Sequence, residues 1–349
     1  MATNKEILNQ QRTALAEALT TLIESNQDLA WKPGWFSNGF NGGDRNAFTG
    51  QTYRGENLIA TYFTRAIYGY QDNRWLTMKQ ANELGGKVKK GEKGLRLVRF
   101  IEYDILTKKA PNWTEIRALP LEESRQYIKD NVRVCAKTFT VFNVEQCEGL
   151  TKLKPIEVKT MSEAELAKQN AQIETIIKNS SAPVLYDGGD SAFYRPSTDD
   201  IHLPKVEYFK TKQDYYATAL HEISHSTGHP SRLDRDLSGR FGTESYAIEE
   251  LRAEISSMFL QSDLGLEVKG EVLESHAAYV KNWKEEITKP EVLGKVIEEA
   301  KSITEYIIQN YSARAKVKDA QSLFAADFPK DFETPFTEAL LDHDEGKVK

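Results

Sequence analysis

The sequence predicts an α+β protein of two domains, a small mixed α/β domain followed by a mainly helical one. Three observations carry this. Charge divides along the chain, segments rich in β-branched and aromatic residues cluster in the first 150 positions, and apolar residues recur at helical spacing from about 211 to 310. The chain has 349 residues, 40% of them hydrophobic and 28% charged. That is long for one core and apolar enough to exclude wholesale disorder. Net charge is −6, from 46 basic and 52 acidic residues, but the first 150 positions hold 21 Lys+Arg against 17 Asp+Glu and the rest hold 25 against 35. A basic front and an acidic rear point to different partners. No run of about 18 apolar residues exists, so no transmembrane helix is expected. The polar start, without an apolar signal core, and the presence of only Cys135 and Cys147 fit a reducing cytoplasm.

In chain order, Ile7, Leu15, Ala18, Leu19, Leu22 and Ile23 predict a helix over 4–27. The stretch 31–55 mixes Gly and Asn with many aromatics and reads as an elaborate loop. A helix is expected over 57–68 and a short one over 77–84, opening at Thr77 and ended by Gly85-Gly86. Segments 95–103 and 132–144 read as strands. Between them, 104–131 is polar, with one short helix at 121–130. The charged, aromatic-free stretch 151–165 is the expected linker. The domains are then 1–150 and 166–311, with a tail over 312–349. Beyond the linker come a helix near 162–179 and three short strands, at 183–187, 191–195 and 200–203.

The motif that carries chemistry is HEISH, His221 to His225. Histidines at i and i+4 share one helical face, where two neutral imidazoles can hold one Zn²⁺. Glu222 lies beside the first of them, placed to act as general base toward a metal-activated water. Five residues with three fixed can match by chance, so context decides. Thr211 and Asp214 form a capping box for the required helix, and Gly228 and Pro230 end it one turn past the second histidine.

The third ligand is less direct. HEISHSTGHPS has Gly228 where HExxHxxGxxH requires glycine, but position 231 is Ser and His229 comes two residues early. A carboxylate from another helix is therefore expected, from YAIEELRAEISSMFL at 246–260. Taking Ile248, Leu251, Ile255, Met258 and Phe259 as its buried stripe, Glu254 lies about 70° from the stripe centre, Glu250 about 110° and Glu249 on the far side. A ligand should flank the stripe. Glu254 is the preferred ligand, and Glu250 either orients a histidine or is the ligand itself. A His-His-Glu site accepts several divalent ions, so Mn²⁺ stands beside Zn²⁺ as a cofactor.

Residues 45–99 carry eleven basic and four acidic side chains, a patch suited to phosphates. Arg54, Lys79, Lys87, Lys89, Lys90, Lys93 and Arg96 belong to it, the four central lysines within GGKVKKGEKG (85–94). Trp31, Trp35, Tyr53 and Trp75 interleave as candidate stacking platforms, which suggests single-stranded nucleic acid. The plainer reading is a solvated Lys/Gly hairpin with Tyr53 and Trp75 in the core.

The segments NAFTGQTYRGEN (46–57), RWLTMKQANELGGKVKKGEKG (74–94) and TVFNVEQCEGL (140–150) resemble the N-terminal domain of the antirestriction protein ArdC family. AFYRPSTDDIHLP (192–204), YYATALHEISHSTGHPSRLDR (215–235), FGTESYAIEELRAEISSMFL (241–260) and AAYVKNW (277–283) resemble its zincin-like metallopeptidase domain. The resemblance implies a small nucleic-acid-binding domain that takes single-stranded DNA with little sequence preference, then a mainly helical zincin-like domain holding Zn²⁺ or a similar metal through His221, His225 and a downstream Glu. It implies the biology of plasmids, phages and other mobile elements, with incoming DNA shielded from host restriction; in the preferred reading the rear half cleaves or grips a host protein. Two alternatives stay open: an inert structural metal in a single-strand protector, and a metallopeptidase regulator whose front half recognises a protein. The 104–131 segment and the tail depart from the family pattern.

Overall fold

The structure, a computed structural model, describes residues 3–25, 43–154, 162–240, 243–266 and 288–312. Trp31, Trp35, residues 155–161 of the expected linker and nearly all of the tail lie outside these residues.

The chain opens with α1 (Asn4–Ser25), whose Leu15, Leu19, Leu22 and Ile23 are buried. Then come β1 (Arg45–Asn46), α2 (Gly55–Tyr68), β2 (Arg74–Leu76), α3 (Met78–Glu83), β3 (Lys87–Val88) and β4 (Leu95–Asp104). Helices α4 (Trp113–Ala118) and α5 (Leu121–Asn131) lead into β5 (Val132–Asn143) and β6 (Cys147–Glu148). The expected short helix at 121–130 is α5, and a second helix, α4, precedes it. Asn112 caps α4 by accepting from the Glu115 amide at 3.5 Å.

Strand β4 pairs antiparallel with β5 over its whole length, from Leu95 opposite Val141 to Asp104 opposite Val132. β2 joins the other edge of β5, and β1 pairs parallel with β2, giving the order β1-β2-β5-β4. Strands as short as β1, β2, β3 and β6 show no alternation of their own, so they are absent from the elements expected of the sequence. The β3–β6 ladder needs Gly86, because a Cβ there would collide with the Glu148 carbonyl. The α3 start follows its sequence signal, since Thr77 and Gln80 exchange both bonds of a capping box.

The rear half contains α6 (Glu163–Asn179), strands β7 (Val184–Leu185), β8 (Phe193–Arg195) and β9 (Asp200–His202), then α7 (Lys212–Ser226), α8 (Glu244–Leu264) and α9 (Pro290–Tyr311). The three strands form one sheet in the order β7-β9-β8. No helix among the described residues is long and apolar enough to cross a membrane.

The two halves share a core. Leu58, Ile59, Tyr62 and Phe63 of α2 and Leu15 and Leu19 of α1 cluster with Leu251, Ile255 and Met258 of α8 and with Leu293, Val296 and Ile297 of α9. A second core joins α6, α7, β9 and the end of α9. Arg12 of α1 adds ion pairs to Glu56 of α2 at 3.1 Å and Glu298 of α9 at 3.2 Å. Helix α8 is thus packed against α7 on one side and against the front half on the other.

Candidate metal centre and the basic surface

Helix α7 starts at Thr211, whose hydroxyl accepts from the Asp214 amide at 3.1 Å while the Asp214 carboxylate accepts from the Thr211 amide. This fixes the phase of the helix, and Tyr216, Ala219, Leu220 and Ile223 go into the core. His221, Glu222 and His225 follow on a buried surface, each less than about one-eighth exposed.

The imidazoles stand edge to face, and their Nε2 atoms lie 3.1 Å apart. Glu250 of α8 faces both, with Oε2 at 3.5 Å from His221 Nε2 and Oε1 at 3.6 Å from His225 Nε2. Among the described residues these three form the group of donors able to share one ion. Donors about 2.0–2.1 Å from one tetrahedral ion stand roughly 3.3 Å apart, so the triangle fits. Chemistry agrees with geometry. Two imidazole lone pairs and a carboxylate aimed at one point repel one another unless a cation lies between them.

Each histidine also has a carboxylate behind it. Glu254 Oε1 lies 3.7 Å from His221 Nδ1, and Glu249 Oε1 lies 3.3 Å from His225 Nδ1. The preferred ligand Glu254 therefore lies behind His221, and Glu250, the alternative, is the carboxylate that faces both Nε2 atoms. α8 turns Glu250 toward the two Nε2 atoms and Glu254 toward the opposite nitrogen of His221. A helical wheel with one buried stripe does not describe α8, which is buried on both sides, and Glu249, on the far side of that wheel, is buried too.

Burial opposes charge on His221, but Glu250 and Glu254 outweigh it and raise the imidazole's pKa. For His225 the carboxylates win by more, and the pKa rises well above the ordinary value. Protons and a metal ion compete for the same lone pairs, so metal loading releases protons. Glu254 is pushed up, by burial first and then by Glu250. Glu249 is held at about 2, because hydrogen bonds from His225 and Arg235 overcome a large burial penalty.

In the front half, Arg54, Lys79, Lys87, Lys89, Lys90, Lys93 and Arg96 are exposed. Trp75 is not. It is fully buried, and its indole N–H donates to Asp44 at 2.8 Å. Tyr53 is partly buried against the shared core, and burial pushes its hydroxyl up to about 12. Trp75 presents no face for stacking and is withdrawn as a nucleic-acid contact, and Tyr53 is only partly open to solvent. Phe48 is 48% exposed on the turn after β1. The register of β4 and β5 adds a signal that composition lacks: exposed Arg99 and exposed Lys137 lie directly opposite each other.

A helix bearing two histidines and a glutamate, crossed by a second helix that supplies a carboxylate, defines a zincin-like metallopeptidase domain, and the matching family model with that description covers residues 171–292. A second, described as the N-terminal domain of anti-restriction factor ArdC, covers residues 9–142. Uncharacterized protein y4eC of Sinorhizobium fredii is 35% identical over 240 residues, 69% of this chain and 72% of that protein. Two proteins of Escherichia coli named DNA primase TraC are 40% identical over 267 residues and 43% over 242, spanning 75% and 68% of this chain. The chain spans only 17% and 21% of their lengths. Crystal structures of the antirestriction ArdC protein from plasmid R388, one metal-free and one Mn(II)-bound, align with TM-scores of 0.54 and 0.53 at 29% identity. Each covers 85% of this chain, and the match takes in 97% and 98% of theirs. The chain belongs to the antirestriction ArdC family, and its donor set is one for a divalent metal.

Proposed function

We propose that this protein binds single-stranded DNA through its front half and is a zinc-dependent metallopeptidase in its rear half, with His221, His225 and Glu250 as metal ligands. The convergence of Glu250 on the paired Nε2 atoms carries the reading. Zinc at this site would act as a Lewis acid, polarising a peptide carbonyl. Mn(II) in the related R388 protein makes manganese the natural competitor. Glu222 is the residue that takes a proton from water and passes it to the leaving amine. Glu254 holds the back of His221. A host protein as substrate and a cytoplasmic, antirestriction role on a mobile element complete the proposal.

Metal content separates the two candidate ligands. Glu250→Ala is expected to lose zinc when dialysed against a chelator that leaves the wild type loaded, whereas Glu254→Ala weakens binding by about 10–100-fold. Equal metal content in the two variants would remove Glu250 from the ligand set.

The DNA part rests on the exposed lysine turn and on the Arg99–Lys137 pair. Like charges directly opposite across a ladder repel each other, and an anion laid along the strands relieves this. Changing Lys87, Lys89, Lys90 and Lys93 together to Gln is expected to lower affinity for single-stranded DNA and flatten its salt dependence. The log–log slope should fall by about 0.7 for each phosphate no longer neutralised. Lys87 and Lys89 are tied only at the surface, to Glu148 at 3.2 Å and to the Glu145 carbonyl at 2.7 Å, so folding should survive. A titration over a salt series, with duplex as control, reads the slope. An unchanged slope takes the turn out of the binding surface.

A further inference from the structure

Glu249 has no place in the ligand set, yet two arginines hold its carboxylate. Its Oε1 accepts from Arg235 Nη2 at 2.7 Å, and its Oε2 accepts from Arg235 Nε and from Arg252 Nη1, both at 3.2 Å. Arg235 is itself tied to the end of α7, donating to the Ser224 carbonyl at 3.0 Å and the Thr227 hydroxyl at 2.7 Å. Arg252 continues to Glu299 of α9 at 2.6 Å. The side chains of Glu249, Arg235 and Arg252 are all less than about one-seventh exposed. Two guanidiniums on one buried carboxylate are far more than a helix needs for stability, because such pairs contribute little net energy once desolvation is counted. They are what is needed to fix a carboxylate in one place, and the place is 3.3 Å from His225 Nδ1.

We infer that Glu249 is a positioning residue: clamped by Arg235 and Arg252, it accepts the Nδ1 proton of His225 and so aims the Nε2 lone pair at the metal. The inference rests on the metal reading proposed above. An imidazole whose Nδ1–H is given to a fixed carboxylate is held in one tautomer and one ring orientation, and its other nitrogen becomes more basic. The clamp also ties ring orientation to α9, which the front half packs against.

The test uses the full chain with zinc, reading zinc affinity by chelator competition and the Nδ1–H proton resonance of His225 by NMR. Glu249→Ala is expected to weaken zinc binding about 10–100-fold and to lose the resonance to solvent exchange. Glu249→Gln still offers an oxygen to Nδ1–H, so it should recover part of the affinity and keep the resonance, shifted upfield because the charge is gone. A merely structural ion-pair role would also let Gln recover stability, since its amide oxygen accepts from the arginines, but it predicts that the His225 Nδ1–H resonance stays unmoved in both variants. If Glu249→Ala does not fold, Glu249→Gln decides alone: an unmoved resonance with wild-type affinity overturns the inference. Zinc binding in the wild type with both variants unchanged overturns it while leaving the metal reading intact. A wild type that binds no zinc overturns both.

Discussion

Glu222→Gln should leave zinc bound at wild-type stoichiometry and slow hydrolysis of an unfolded protein substrate by about 10²–10⁴-fold, the range a positioned general base contributes. The reason is local. Glu222 follows His221 on α7, so its carboxylate rises from the same helical turn as the first ligand, while the donors His221, His225 and Glu250 already form a group without it. Gln keeps the volume in a site where Glu222 is only 7% exposed, which avoids the cavity that Ala would leave. It removes the group that can take a proton and changes little else. Metal analysis, a thermal melt and a cleavage time course on the same preparation read the three quantities. Cleavage at the wild-type rate would remove Glu222 from the chemistry. Zinc loss in this variant would instead make Glu222 part of the metal environment.

The site was legible in the sequence where chemistry and helical periodicity coincide. The capping box at Thr211, the i, i+4 histidines and the carboxylate between them all lie within fifteen residues of one helix, and local rules suffice. The partner helix was harder. An amphipathic pattern shows which stripe is apolar, but it does not say which neighbour covers the other side. Helix α8 buries Leu251 and Ile255 against the front half and Glu249 and Glu250 toward α7. With both faces buried, an angular ranking against one stripe does not order Glu250 and Glu254, and it places on the far side a Glu249 that the structure buries. The long β4–β5 pair was readable from β-branched density, whereas β1 and β2 exist because β5 offers an edge to pair with. Trp75 was misjudged for a related reason. Interleaved aromatics suggest a stacking surface only if no buried polar partner claims the ring, and Asp44, thirty-one residues away in sequence, claims this one.

The shared core bears on function. Because α8 supplies Glu250 to one side and Leu251, Ile255 and Met258 to the other, the metal centre and the front half rest on one element. Cutting the chain in the expected linker would expose these apolar residues to water. DNA-binding and metal-binding measurements therefore belong on the full chain.

Asp44→Ala is expected to destabilise the protein by about 3–5 kcal/mol, the cost of removing one partner from a buried charge pair. Asp44 is fully buried and accepts from Arg65 Nε at 3.0 Å and Trp75 Nε1 at 2.8 Å. Arg65 lies over the Tyr62 ring at 5.3 Å, and both belong to α2, which packs on α8. Removing the carboxylate leaves a buried guanidinium without this counter-charge and an indole N–H without its acceptor. Burial pushes the Asp44 carboxyl up to about 6, against the opposing pull of Arg65 and the Trp75 hydrogen bond. A folded value above the ordinary one means this group's titration favours folding at low pH, and that contribution is lost as pH rises through about 6. Denaturant unfolding at pH 7, with Lys79→Ala as control, measures the difference. Lys79 is 87% exposed and pairs with Glu83 at 3.8 Å, so its replacement should cost no more than about 0.5 kcal/mol. If Asp44→Ala costs no more than the control, the buried cluster does not hold the front half together, and α2 must owe its position on α8 to apolar packing alone.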